Sequence, residues 1–284
     1  RAIRMGTLNA AAYFGLHDMG AVAPGYKADL AVFDDLRTLN VKQVYKGGKL
    51  VAENGKMLHQ KEKNTDWSTE IKERVFHSFH RVPITVEELQ LKETTGTHQR
   101  VIDMVAHELI TKERIEEWKE LPGVAPGVDI SRDIVKLAAI ERHKNTGHVG
   151  LGFLGKYGLK KGAVATSIGH DSHNLVIAGV TDEDMVLAGN RVIENGGGLA
   201  IALEGKVLAD LPLPIGGLMA DEPVEVVDEK LEHMKKLSVE LGISEDIDAF
   251  MTLAFISLPV IPKLRLNTYG VVDVEKHQVV EARF

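Results

Sequence analysis

Apolar positions along this chain change their period several times, and each change predicts an element. Over residues 1–17, Ile3, Leu8, Ala11, Ala12 and Leu16 recur at helical spacing, with Gly15 and Gly20 near the end. That pattern predicts an amphipathic helix followed by a turn. Pro24-Gly25 then interrupts the chain, and Ala28-Asp29-Leu30-Ala31-Val32-Phe33 reads as a buried strand. Two more strands are expected at 41–45 and 49–53, joined and ended by the turn pairs Gly47-Gly48 and Asn54-Gly55. Residues 21–60 are therefore predicted to form a small β module. From about 59 to 79 the chain is charged and poorly periodic, with Lys61, Glu62, Lys63, Asn64, Asp66 and Glu70 close together. Residues 61–95 are read as a linker that ends in a crossing strand at 84–91.

Beyond this the pattern becomes longer-ranged. An alternating region covers 99–112, a continuous apolar strand covers 134–140, and a glycine-spaced segment covers 147–158. Two short apolar runs, Gly162 to Ser167 and Leu175 to Val180, enclose a polar stretch. Helical periodicity then predicts helices at 182–195, 226–241 and 247–258. Strands and helices mixed in this order predict an α+β fold for 96–284, preceded by residues 1–20 as a helix that packs on something else and by the small β module.

Composition narrows the classes. There are 34 basic and 41 acidic residues among 284, a net charge of -7, with no basic stripe carrying aromatics, so nucleic acid is not expected as a partner. No run approaches the roughly 18 apolar residues a membrane span needs. With no cysteine, neither a disulfide framework nor a thiolate zinc site is possible, and a cytoplasmic location is expected. Arg1-Ala2-Ile3-Arg4 lacks both an initiator Met and a signal-peptide core, and it opens directly on a helical pattern. The expectation is that the chain continues something longer.

Chemistry-bearing side chains crowd into Ser167-Ile168-Gly169-His170-Asp171-Ser172-His173-Asn174. Polar groups on a short connection between buried strands are well placed to project into a cleft. His170, Asp171 and Ser172 are candidates for catalysis, and Ser167, His173 and Asn174 for holding a substrate. The set offers both donors and acceptors. Two imidazoles three residues apart with a carboxylate between them also suit a metal, but they do not complete a site, and His77, His80, His143 and His148 lie on separate segments. Ala165-Thr166-Ser167-Ile168-Gly169 approaches a nucleophile elbow without its first glycine. Gly150-Leu151-Gly152-Phe153-Leu154-Gly155 matches the dinucleotide fingerprint, but the polar stretch 141–147 stands where the strand should run into the first glycine. Close helix packing or a turn is the simpler expectation there. Asn195-Gly196-Gly197-Gly198 reads as a turn that needs positive φ, and 211–218 as an extended apolar connection.

Arg1 to Ala11, Gly20-Ala21-Val22-Ala23-Pro24-Gly25-Tyr26-Lys27-Ala28-Asp29-Leu30 and the later Gly48-Lys49-Leu50-Val51 resemble the end of the amidohydrolase superfamily. In that superfamily a last barrel helix is followed by a return into a composite β domain. The long remainder, with Thr166 to Asn174 and Gly216-Gly217-Leu218-Met219-Ala220-Asp221, is similar to the adenine deaminase family within it. The resemblance covers nearly the whole chain. It implies conversion of adenine and water to hypoxanthine and ammonia, with a divalent metal (Mn, Fe or Zn) generating the nucleophile and a carboxylic acid shuttling protons. It also implies that the metal-binding barrel is a separate upstream segment, absent from this sequence, so that this chain alone should be inactive. The loop from His170 to Asn174 would then close over the barrel mouth, and homo-oligomers are expected. The competing expectation is an interaction or oligomerisation module with no chemistry of its own.

Overall fold

A computed structural model describes residues 1–58, 67–91, 95–105 and 107–284. The chain divides into two compact units, residues 1–67 and 68–284. Residues 59–66, the first part of the expected linker, lie outside the described residues.

The first unit opens with a helical segment, α-helical over Ala2–Arg4 and Ala10–Tyr13 and π-helical over Met5–Asn9. A four-stranded antiparallel sheet follows in the order β1 (Leu30–Phe33), β2 (Val41–Lys46), β3 (Lys49–Glu53) and β4 (Lys56–Met57). The β2–β3 turn takes positive φ at Gly47 and Gly48, as a tight turn between twisted strands requires. Asp29 holds it from outside: its carboxylate accepts from the Gly47 amide at 2.8 Å and pairs with the Lys46 ammonium. The Ala28-Asp29-Leu30 signature is thus a device for closing this turn.

The second unit is built on one eight-stranded sheet in the order β12-β11-β9-β10-β7-β8-β5-β6. Its strands are β5 (His98–Met104), β6 (Thr111–Glu117), β7 (Ile134–Ile140), β8 (Val149–Gly155), β9 (Ala163–Thr166), β10 (Leu175–Gly179), β11 (Gly198–Leu203) and β12 (Lys206–Pro212). All neighbours are antiparallel except β5 and β8. Side chains alternate between two buried faces, as strand geometry dictates. Leu137 and Ala139 of β7 and Val176 and Ala178 of β10 enter one core; Ala138, Ile140, Leu175 and Ile177 enter the other.

The helix Asp182–Glu194 covers the second face, capped by the Thr181 hydroxyl accepting from the Asp184 amide at 3.3 Å and carrying three acidic residues in its first turn. A Cβ on its Gly189 would meet Ile177 and Ile84 side chains at 2.6 and 2.8 Å, so the missing side chain lets the helix sit close to the sheet. The helices Val224–Glu240 and Ala249–Ile256 contribute to the first core, together with a three-stranded sheet of β13 (Leu264–Asn267), β14 (Gly270–Asp273) and β15 (Gln278–Val280).

Three expectations change. The strand foreseen at 84–91 is a 3-10 turn, Glu87–Leu89, and Ile84 and Leu89 are buried in the second core, so this stretch belongs to the larger unit. The C-terminal sheet β13–β15 replaces the helix-dominated ending that the pattern suggested. The glycines of the fingerprint-like Gly150 to Gly155 lie inside β8, with neither a phosphate turn nor a following helix. A Cβ on Gly150 would lie 1.9 Å from the Asn267 carbonyl, and one on Gly155 would lie 2.1 Å from the Asp103 carboxylate. They make room for neighbouring backbone and charge, which is another common use of strand glycine.

Candidate functional site

The Ser167 to Asn174 stretch is the hairpin connection between β9 and β10, whose last and first pairs include Thr166 with Val176. Two strands buried on both faces therefore set its position. The Thr166 hydroxyl starts the turn by accepting from the Ile168 amide at 3.1 Å.

One side of the loop is gripped by the end of the Ala249–Ile256 helix. The His170 amide donates to the Ala254 carbonyl at 2.8 Å, the Ser257 hydroxyl donates to the His170 carbonyl at 3.2 Å, and the Phe255 ring lies 4.9 Å from the His170 ring. The other side is held by the residues that leave β7. The Arg142 guanidinium donates from Nε to the His173 carbonyl and from Nη2 to the Gly216 carbonyl at 3.0 Å, while its amide donates to the Asn174 side-chain oxygen at 3.3 Å. His143 Nε2 donates to the Ser172 carbonyl at 2.7 Å. Arg142 is 2% exposed, and burial lowers its pKa to about 10. Phe79 faces its guanidinium 5.0 Å away.

These bonds restrain the backbone and leave several side chains available. Asp171 and Ser172 are exposed, and His170 and His173 are half-buried with their rings 5.9 Å apart. Burial, and then the neighbouring His170 ring and Arg142 guanidinium, lower the His173 pKa from its ordinary value. The shift favours the neutral imidazole, whose Nδ1 is buried with no hydrogen-bond partner. An exposed carboxylate and hydroxyl beside two half-buried imidazoles can recognise the edge of a polar heterocycle and move a proton.

Two of the expected binding residues take other roles here. Ser167 is fully buried, donating to the Gly217 carbonyl at 2.6 Å and accepting from the Gly198 amide at 2.7 Å. Its hydroxyl closes the sheet against the glycine segments, so it faces neither a substrate nor a base, and neither substrate contact nor an elbow nucleophile fits it. The Asn174 oxygen is engaged by Arg142, which leaves only its amide nitrogen to offer. The Gly196 to Gly198 turn does take positive φ, and its position is also steric: a Cβ on Gly197 would meet Gly217 Cα at 2.3 Å.

Sequence reasoning does not mark Arg142, Phe255 or Ser257 as site residues, and it weighs His143 only as a scattered metal-ligand candidate. The signal for Arg142 and His143 was the break from a continuous apolar strand to Glu141-Arg142-His143; nothing local marks Phe255 or Ser257. Among the described residues no three His, Cys, Asp or Glu side chains gather closely enough to hold a metal. His77, His80 and His143 border one open depression with Glu73, Arg74 and Ser78, and His148 packs against the Tyr269 ring at 4.8 Å.

Comparison with known families turns this geometry into an assignment. Residues 108–278, which contain the whole loop and both elements that grip it, match the adenine deaminase C-terminal domain. The chain belongs to that family. Residues 1–51, which hold the opening helix, β1, β2 and the start of β3, match the amidohydrolase family. Similar proteins include adenine deaminase 2 of Carboxydothermus hydrogenoformans, 45% identical over 98% of this chain, and the adenine deaminase of Petrotoga mobilis, 43% identical over 98%. The adenine deaminase of Lysinibacillus sphaericus is 40% identical over 99%. In each case the match covers 47% of the relative, so the chain spans about half the length of the curated relatives it matches.

Proposed function

We propose that this chain is the C-terminal part of an adenine aminohydrolase, converting adenine and water to hypoxanthine and ammonia in purine salvage, and that it is inactive by itself. The observation that carries the reading is the continuous match of 98% of the chain to proteins named adenine deaminase, across both units. The loop supports it from below. His170, Asp171, Ser172 and His173 stand together on a braced hairpin, where the exposed carboxylate and hydroxyl beside two half-buried imidazoles offer the kinds of donor and acceptor that a purine edge requires.

In this reading Asp171 moves the proton, and His170, Ser172, His173 and the Asn174 amide nitrogen orient purine or water. The divalent ion that the amidohydrolase family implies, whether manganese, iron or zinc, does not fit the described residues, since no three suitable ligands gather there. It belongs with an upstream barrel segment as partner. Exposed Ile3, Met5, Tyr13 and Phe14 on the opening helix support association with that segment or with a further copy of the chain. No helix among the described residues is long and apolar enough to cross a membrane, which agrees with the cytoplasmic location that belongs to this reading.

The test is to incubate the chain with adenine and Mn²⁺ or Fe²⁺, alone and with a separately produced barrel segment, and to follow hypoxanthine. Turnover only in the mixture is expected. Turnover by the chain alone would overturn its inactivity, and none in either would favour a purely associative module. In the active mixture, Asp171→Asn should lower kcat by about 10² or more, the usual weight of a proton shuttle; unchanged turnover would remove Asp171 from the chemistry.

A further inference from the structure

Arg265 on β13 is 1% exposed, and no carboxylate among the described residues offsets its charge. Its Nη1 donates to the Leu264 carbonyl at 3.3 Å and its Nη2 to the Leu109 carbonyl, while Nε is buried with no partner. Lys136, by contrast, is a buried ammonium met by the Asp182 carboxylate at 2.6 Å. A guanidinium taken out of water with only backbone carbonyls around it carries an uncompensated charge.

Arg265 also borders a cavity of about 180 Å³ together with Met104, Thr111, Met251, Phe255 and Ile256. That volume admits at least six heavy atoms at the ~30 Å³ that one water takes in the liquid. The Thr111 hydroxyl is already committed, donating to the Leu264 carbonyl and accepting from its amide. Arg265 is thus the unneutralised charge in a hollow whose walls are mostly hydrocarbon, with the exposed Glu108 as the acidic lining residue.

We propose that this cavity binds a small monocarboxylate, its carboxylate against the Arg265 guanidinium and its short hydrocarbon tail against Met251, Phe255 and Ile256. A bidentate carboxylate supplies the missing counter-charge in the planar geometry that guanidinium favours. A phosphate would bring more charge than one arginine offsets and no apolar body for the walls. The site stands apart from the proposed deaminase reading, yet it shares an element with the loop: Phe255 lines the cavity and also packs on the His170 ring. Occupancy should therefore register at His170.

Calorimetric titration of the chain with butyrate at pH 7, with 1-butanol and inorganic phosphate as comparisons, tests this. Butyrate should bind saturably at one site, and 1-butanol and phosphate at least about tenfold more weakly, as expected when a charge-assisted contact or the apolar fit is lost. Arg265→Lys, which keeps the charge but loses the fork, and Met251→Trp, which fills the hollow from a partly exposed position, should each weaken butyrate by about tenfold or more. Added butyrate should also shift the His170 imidazole resonances. Equal binding of butyrate and 1-butanol would reduce the site to an apolar hollow, and equal binding of phosphate would make it a general anion site. Either result overturns the proposal, as does butyrate binding unchanged in both folded variants, an unmoved His170 resonance, or no saturable binding.

Discussion

Single side chains around the loop act mainly by holding backbone. Arg142 joins the His173 and Gly216 carbonyls through one guanidinium, a task that needs its fixed fork. Arg142→Met should cost about 2–6 kcal/mol, because two partly buried acceptors lose their donor at about 1–3 kcal/mol each; denaturant titration measures it, and Arg142→Lys should recover only part. The neighbouring Glu141 organises the turn that follows β7. Burial raises its pKa, but the amides of Thr146, Lys144 and His143 and the Thr146 hydroxyl outweigh burial and hold the carboxyl down to about 2 from 4.5. A depressed carboxyl contributes stability that is complete above its unfolded pKa and is lost as pH falls through the folded one. Glu141→Gln should therefore cost about 1–2 kcal/mol near pH 7, the weight of hydrogen bonds to a charged group reduced by solvent access. The difference from the parent chain should shrink below pH 4.5 and vanish near pH 2, as unfolding curves across that range would report.

At the scale of elements, the small residues of β8 decide how sheets pack. Gly150 has no positive φ, so alanine there is strained by space alone: its Cβ would sit 1.9 Å from the Asn267 carbonyl, a backbone atom of β13. Gly152 would meet only the Val271 and Leu266 methyl groups at 3.0 and 3.2 Å, which can shift. Gly150→Ala should therefore destabilise by about 3 kcal/mol or more and Gly152→Ala by about 1 kcal/mol, the span of overpacking costs. Thermal unfolding of the two variants gives the order directly, and a larger effect at Gly152 would contradict the packing assigned here. The sequence showed these glycines and their spacing. It could not show that the neighbour is a second sheet, because 264–280 is short and broken by Arg265, Asn267 and Asp273, too polar to reveal strands by period alone.

For the whole molecule, the two units differ in what they bury. Residues 68–284 enclose two apolar layers on either side of one sheet, with each fully buried Leu, Ile or Val contributing about 1.5–3 kcal/mol. Expressed alone, 68–284 should unfold in one cooperative transition with its far-UV spectrum preserved, as urea titration would show. Among the described residues of 1–67 little is buried, Ala11 being the one buried apolar side chain. They should not give a cooperative transition in isolation.

The apolar pattern by itself marked strands at 134–140, 162–167 and 175–180, the polar hairpin between the last two, and helices at 182–195, 226–241 and 247–258, within one to two residues of those observed, because long runs with a clear period bury one way only; it did not mark β11 and β12. It also located His170, Asp171, Ser172 and His173, since polar groups between two buried strands have nowhere to go but the loop. Tertiary structure alone decided which of those groups remain available. Ser167 and the Asn174 oxygen are engaged by Gly198, Gly217 and Arg142, partners 31, 50 and 32 residues away. It also brought Phe255 and Ser257 to the loop and gathered Arg265 and its cavity. Hydrogen bonds and packing across such separations depend on how strands order and helices dock, which local periodicity does not encode.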